Sequence, residues 1–355
     1  MPSVTWVNVA SSRPMGQQAY EDLLQAGVRA LAPADWQFNT LRVTSLRSGV
    51  RGATRIPMGP LSRLPLPAVR LAGQMLYGGA DLVHRLDLRV PPRSGLDIVT
   101  VLDLSPLHFN DEGTISSQAL RGAAHASGVL CPSEATAAEV RDVIGPRRTW
   151  VLPQAAEPGF SPGPGLSLQR LAALGVNGPY FLHSGGATER KNLRSLAEAW
   201  KLVRRERADL QLVLAGPPDA RRSQAFASTE GAVLTGMVSF EDLVGLVRGA
   251  AGVVVPSVYE GFGLPAANAM ACGTPVVAAA RTSLVELCEG VAVMVEPDPQ
   301  GIATGILTAA GEGPGIARLV AAGLARAAEM SWQRCCAAHM SVYSELLGQG
   351  PGART

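Results

Sequence analysis

Glu260, Arg190 and Lys191 are the charged residues whose surroundings suggest chemistry. Glu260 opens the stretch EGFGLPAANAMACGTPVVA, in which Gly261 and Gly263 flank Phe262. Pro265 falls where proline is favoured, in the first turn of a helix. The run GVVVPS ahead of it reads as a strand, Gly273 as the residue just past the helix, and TPVVAAA as the next strand. The whole is a βαβ unit with its glycine loop, Val258 to Leu264, at the carboxyl end of a strand, where open α/β sheets bind ligands. Gly261 and Gly263 let free N–H groups face a ligand, and the helix N-terminus behind them favours an anion such as a diphosphate. The loop chemistry alone fits an ordinary strand-to-helix turn equally well. Glu260 separates the two. A carboxylate beside an anion site is repelled unless it touches something else, and sugar hydroxyls donate strong hydrogen bonds to it. The implied ligand carries both phosphate and sugar.

SGGATERKNL, Ser184 to Leu193, is a second strand-to-helix junction. Gly185 and Gly186 make a tight turn, and Arg190 and Lys191 precede the next helix. Two cations at a helix start oppose the helix dipole, so they face an external anion or solvent. Arg offers a fork and Lys a point charge, a useful pair around a diphosphate. Lys191 and Lys201 are the only lysines in the chain, which favours a functional Lys191. The segment lacks the Gly-Lys-Ser/Thr of a P-loop and the G-x-G-x-x-G of a dinucleotide site.

The elements that must hold these residues are α/β throughout. The 355 residues are 47% hydrophobic and 17% charged, enough for two globular domains. A net charge of +2 gives no ground for a nucleic-acid partner. Cys131, Cys272, Cys288, Cys335 and Cys336 form no Cys-x-x-Cys pair and read as reduced, mostly buried thiols of a cytosolic protein. MPSVTWVNVA lacks the pattern of a signal peptide, and no apolar run reaches membrane-spanning length.

Apolar runs alternate with helical patterns. Val4–Ala10, Asp97–Asp103 and Ser127–Ser133 read as buried parallel strands, and Ser133 and Ser239 as helix N-caps. The Pro- and Gly-dense LPQAAEPGFSPGPG marks a linker, after which the alternation restarts. The expected organisation is a first domain over 1–153, a linker over 154–165 and a second domain over 166–330. A last helix, 331–347, is expected to pack back on the first domain.

Taken together, these residues resemble the retaining glycosyltransferases of family 4, of the GT-B fold. The family pattern E-G-F-G-L-P-x-x-E-A-M-A-C-G-x-P-V-V is matched almost throughout by Glu260 to Val277. SGGATERKNL looks like the family's G-x-x-x-x-R-K-N segment, and VLPQAAEPGFSP like its interdomain N-G-V-D-x-x-F-x-P. TVLDLSPLHF, CPSEATAAEV, DLVHRLDLRVPP and MGQQAYEDLL look like weaker N-terminal counterparts.

The resemblance implies two Rossmann-like, doubly wound parallel-sheet domains facing a cleft. The second would bind a nucleoside-diphosphate sugar and the first a glycan or lipid-linked acceptor. Carried over, Arg190 and Lys191 neutralise the diphosphate and Glu260 holds the donor sugar. Gly185, Gly186, Met237, Val238, Phe262, Gly263, Leu264 and Asn268 line the donor. Gly16 and His84 meet the acceptor, and Asp103 either orients the acceptor or caps a helix or turn. No metal and no cofactor are expected.

Two departures stand out. Asn268 replaces a Glu that grips ribose in the family, and Leu102 replaces a His before Asp103. They motivate a second reading, a catalytically weak GT-B binding or partner subunit. An epimerase or phosphorylase of the same fold is a weaker third, since a pyridoxal lysine is lacking. Arg42, Arg47, Arg51, Arg55, Arg63 and Arg70 lie in a stretch, Trp36 to Ala80, without an acidic residue. That stretch could touch an anionic inner membrane face or a lipid-linked acceptor, close as a loop over the acceptor, or be a solvated basic face.

Overall fold

The computed structural model describes residues 1–11, 16–311 and 313–348. Met15 of the MGQQAYEDLL segment lies outside them. The chain divides into two compact units, Met1–Gln154 with Trp332–Thr355, and Ala155–Ser331.

The first unit is built on a seven-stranded sheet. Its strands are β1 (Ser3–Val9), β2 (Gln37–Ser45), β3 (Thr54–Ile56), β4 (Leu82–Arg85), β5 (Leu96–Thr100), β6 (Gly128–Cys131) and β7 (Thr149–Val151). They run in the order β3-β2-β1-β4-β5-β6-β7, every pairing parallel. Runs such as LVHR and GVLC are buried at every position, as a sheet covered on both faces requires. Ser133 caps the helix Glu134–Val143 by accepting the Thr136 N–H.

The last helix, Trp332–Leu346, packs in this unit against the helix Gly16–Leu31, where a Cβ on Gly27 would lie 2.5 Å from Cys336 Sγ. A buried polar chain fastens it. Trp6 Nε1 can only donate, and it donates to the Tyr343 hydroxyl at 3.0 Å. The Tyr343 hydroxyl also bonds His84 Nδ1 at 2.7 Å, and His84 Nε2 bonds Thr100 Oγ1 at 2.7 Å. His339 Nδ1–H donates to the Cys335 carbonyl at 2.8 Å, so its Nε2 accepts from the Tyr20 hydroxyl at 3.1 Å. Both imidazoles are neutral, and burial holds both below the ordinary histidine range.

The second unit carries a six-stranded sheet: β8 (Tyr180–Ser184), β9 (Gln211–Ala215), β10 (Ala232–Gly236), β11 (Gly252–Val255), β12 (Val276–Ala279) and β13 (Val293–Val295). The order is β10-β9-β8-β11-β12-β13, again parallel throughout. One core layer joins the sheet to the helices Phe240–Gly249 and Leu264–Cys272, the other to Leu193–Glu206 and Pro299–Ala309. The stretch read as a linker belongs to this unit, because Phe160 is buried in the first layer and stacks edge-on against Phe240. Both units have the α/β, doubly wound parallel sheet expected from the strand–helix alternation.

Candidate functional site

The winding of the second sheet reverses between β8 and β11, since β9 and β10 lie on one side and β12 and β13 on the other. At such a point the loops at the strands' carboxyl ends leave a crevice. The loop after β8 is the Ser184–Leu193 segment, and the loop after β11 is the one opening at Glu260. The fold thus places both candidate segments at one switch point. Val258 N–H donates to the Arg190 carbonyl at 2.9 Å and ties the two loops together.

Local chemistry shapes each loop. Gly185 has φ 136°, a value L side chains rarely adopt, and its N–H bonds the Ala215 carbonyl at 3.0 Å. Arg222, nearly buried, grips the carbonyls of Gly185 and Gly186. Asn192 takes the left-handed conformation between a 3₁₀ turn, Glu189–Lys191, and the helix Leu193–Glu206. Its amide donates to the Pro256 and Pro297 carbonyls at 3.1 and 2.7 Å, which fixes the loop against its neighbours. Gly263, at φ 107°, caps the helix Leu264–Cys272, and Gly273 ends it at φ 74°. Among the described residues, the N–H groups of Phe262, Gly263 and Leu264 donate to no protein acceptor, as an anion-binding helix start requires.

Glu260, Arg190 and Lys191 come together in a buried triad. Lys191 Nζ lies 2.6 Å from Glu260 Oε1, and Arg190 Nη1 lies 2.9 Å from Oε2. Burial pushes the Glu260 carboxyl up, but Lys191 and Arg190 outweigh it and hold the group at about 2. Each carboxylate oxygen keeps a further lone pair for a hydroxyl donor. The Glu260 backbone is pinned as well. Its N–H bonds Thr282 Oγ1 at 3.0 Å and its carbonyl accepts from Ser283 Oγ at 2.8 Å. Thr282 itself sits at φ 45°, strained for a β-branched residue. His183 on β8 is buried nearby, and burial holds its imidazole down at about 4, so it is neutral.

The other expected donor residues fall on the same unit. Gly236 ends β10 with φ 70°, and Met237 and Val238 follow it, the first exposed and the second half-buried. Asn268, one turn into the helix from Leu264, is 6% exposed and occupied by another residue. Its Oδ1 accepts the Glu157 N–H at 2.9 Å, and its Nδ2 donates to Glu157 Oε2 at 2.9 Å.

In the first unit the expectations fare differently. His84 is removed from the acceptor candidates. It lies inside β4, is fully buried, and has both ring nitrogens engaged by Tyr343 and Thr100. Asp103 accepts from the N–H and hydroxyl of Ser105 at 3.0 and 2.7 Å, so it caps the 3₁₀ turn Ser105–Leu107. Gly16 is the exposed first residue of its helix. Asp298 caps the helix Pro299–Ala309 by accepting the Gly301 N–H.

Sequence reasoning missed Thr282, Ser283, Arg222 and Glu157. Only the last carried a signal, a carboxylate in the stretch between the domains.

Two doubly wound parallel-sheet units, the second with a glycine loop at its switch point, are the architecture of the GT-B fold. Residues 178–311, over a third of the chain, match the family model Glycosyl transferases group 1. The O-antigen chain mannosyltransferase B of Escherichia coli is 33% identical over 175 residues, 47% of this chain and 46% of that protein. The MMP α-(1→4)-mannosyltransferase of Mycolicibacterium hassiacum is 29% identical over 233 residues, 62% of this chain and 54% of that one. The chain thus spans about half the length of these curated relatives. Among solved structures, a sucrose-phosphate synthase from Thermosynechococcus elongatus superposes with TM-score 0.76 at 21% identity, covering 98% of this chain and 99% of the other. The Anabaena protein Alr3699/HepE, solved with UDP and glucose, gives TM-score 0.73 at 18% identity, covering 97% of this chain and 100% of the other. These structural likenesses speak for the fold.

Proposed function

We propose that the chain is a retaining, metal-independent glycosyltransferase that moves a hexose from a nucleoside-diphosphate sugar to a hydroxyl acceptor. The observation that carries this reading is the Glu260–Arg190–Lys191 triad beside unoccupied loop N–H groups at the β8/β11 switch point. As the donor bond breaks, negative charge grows on the departing diphosphate. Arg190, Lys191 and the fixed N–H groups stabilise it without reorganising. Positive charge grows on the anomeric carbon, and Glu260, held ionised by its cations, can accept the sugar's hydroxyls and orient it. A diphosphate oxygen can take the acceptor's proton, so no side-chain base is required.

Turnover of UDP- and GDP-sugars, with and without a chelator, tests the reading. Lys191→Ala should cut turnover by about 10²–10³, the usual cost of one fixed charge or donor at a developing oxyanion. Wild-type turnover by this variant would refute it. Nucleotide binding without turnover on any donor and acceptor would favour the binding-subunit alternative.

Contact with an anionic membrane face is part of the proposal. Arg42, Arg47, Arg51, Arg55 and Arg63 are exposed, and the helix Leu66–Tyr77 exposes Leu71 and Met75, one turn apart. Arg70 is half-buried and donates to the His125 carbonyl, so it is the least available. No helix among the described residues is long and apolar enough to cross a membrane. Changing Arg47, Arg51 and Arg55 together to Gln should weaken binding to phosphatidylglycerol vesicles. Unchanged binding would remove this part.

A further inference from the structure

Glu157 lies where the sequence suggested only a linker, yet its side chain is held as a site residue is held. Asn268 clasps it from two directions, accepting its N–H and donating to its Oε2, both at 2.9 Å. The amide of Asn268 is 6% exposed, so its orientation is set by packing. Glu157 is half-buried, and its Oε1 has no hydrogen-bond partner among the described residues. A carboxylate with one oxygen fixed and the other open is a positioned acceptor.

Its place in the fold limits what it can accept from. Asn268 sits four residues into the helix from Leu264, on the same helical face, about 6 Å along the axis from the anion-binding start. A carboxylate so close cannot take phosphate oxygens, which carry its own sign. It needs O–H or N–H donors on the group next to the phosphates. In a nucleoside diphosphate that group is the ribose, with two hydroxyls side by side. The base lies a further ring away.

We propose that Glu157, positioned by Asn268, is the residue that reads the ribose hydroxyls of the nucleoside diphosphate in this chain. The assignment rests on the nucleoside-diphosphate reading above. Asn268 is then a positioning residue and Glu157 the one that touches the ligand. The carboxylate absent at 268 is supplied from 157, a residue far away in the sequence.

The test measures five probes by calorimetry on the full chain: UDP, GDP, their 2′,3′-dideoxy analogues and inorganic pyrophosphate. Glu157→Gln keeps an oxygen for Asn268 Nδ2 and removes the charge. Asn268→Ala keeps the charge and frees the side chain. The wild type should prefer the better ribonucleotide over its dideoxy analogue at least tenfold. Glu157→Gln should cut that preference to threefold or less, and Asn268→Ala should give an intermediate value. Pyrophosphate affinity should stay within twofold in both, which a merely destabilised loop would not allow. An undiminished preference in Glu157→Gln, or no preference in the wild type, overturns this assignment while leaving the diphosphate site standing. Failure of all five probes to bind the wild type overturns the assignment together with the reading beneath it.

Discussion

Replacing Asn268 by Glu separates a residue-by-residue reading from a structural one. The family pattern has Glu at this position, so the sequence alone expects Asn268→Glu to tighten donor binding. The structure expects the reverse. Asn268 Nδ2 donates to Glu157 Oε2 at 2.9 Å, and a carboxylate in its place would point an oxygen at an oxygen. The lost bond, made to a charged acceptor, is worth about 1.5–3 kcal/mol. Two unit charges about 4 Å apart repel by about 1 kcal/mol in water and about 4 kcal/mol at an effective dielectric of about 20. Glu157 is half-buried and can turn toward solvent, so the lower repulsion applies. The total is about 2.5–4 kcal/mol. For a unit spanning Ala155–Ser331, that lowers its melting temperature by roughly 5–15 °C. Calorimetry at pH 7.5, paired with UDP and GDP titrations, measures both consequences. Adding Glu157→Gln should restore most of the loss. An Asn268→Glu protein as stable as the wild type, with tighter nucleotide binding and no response to Glu157→Gln, would refute the clasp.

Other outcomes follow from the same geometry. Burial holds His339 at about 4 against about 6.5 in the unfolded chain, so the unfolded state binds more protons between those values. Its contribution of about 3 kcal/mol is present above about pH 6.5 and is lost as the pH falls toward 4. Denaturant titrations should show His339→Gln flattening that slope by about one proton, and an unchanged slope would sink the buried-neutral assignment. Glu21 has the opposite sign. Burial raises its carboxyl to about 7, so the folded state binds the extra proton and loses stability as the pH rises from about 4.5 to 7. Glu21→Gln should therefore gain about 1–2 kcal/mol on the wild type at pH 8 and nothing at pH 4.5, read from the same titrations. Gly263→Ala meets both a φ of 107° and a Cβ 2.8 Å from Leu284 Cδ2, so it should cost about 1–3 kcal/mol and weaken diphosphate binding. Full affinity in that variant would show the loop is not the anion site.

Much of this protein was legible in its sequence because the relevant forces are local. Apolar runs buried on both faces, Ser caps at 133 and 239, Pro265 in a first turn and Gly273 at a helix end are fixed by neighbours along the chain. So were two glycine turns ahead of helices, and the cations and the carboxylate that accompany them. Three things depended on approach in space. The strand order put the loops after β8 and β11 side by side, which turned Arg190, Lys191 and Glu260 into one buried ion triad. The polar chain through Trp6, Tyr343 and Thr100 took both nitrogens of His84, so a histidine that looked available became a core residue. The clasp between Asn268 and Glu157 joined residues 111 positions apart in the second unit's sequence. A side chain's type sets what it can bond. Its burial and its partners set what it has left to offer a ligand, and those are properties of the packed chain.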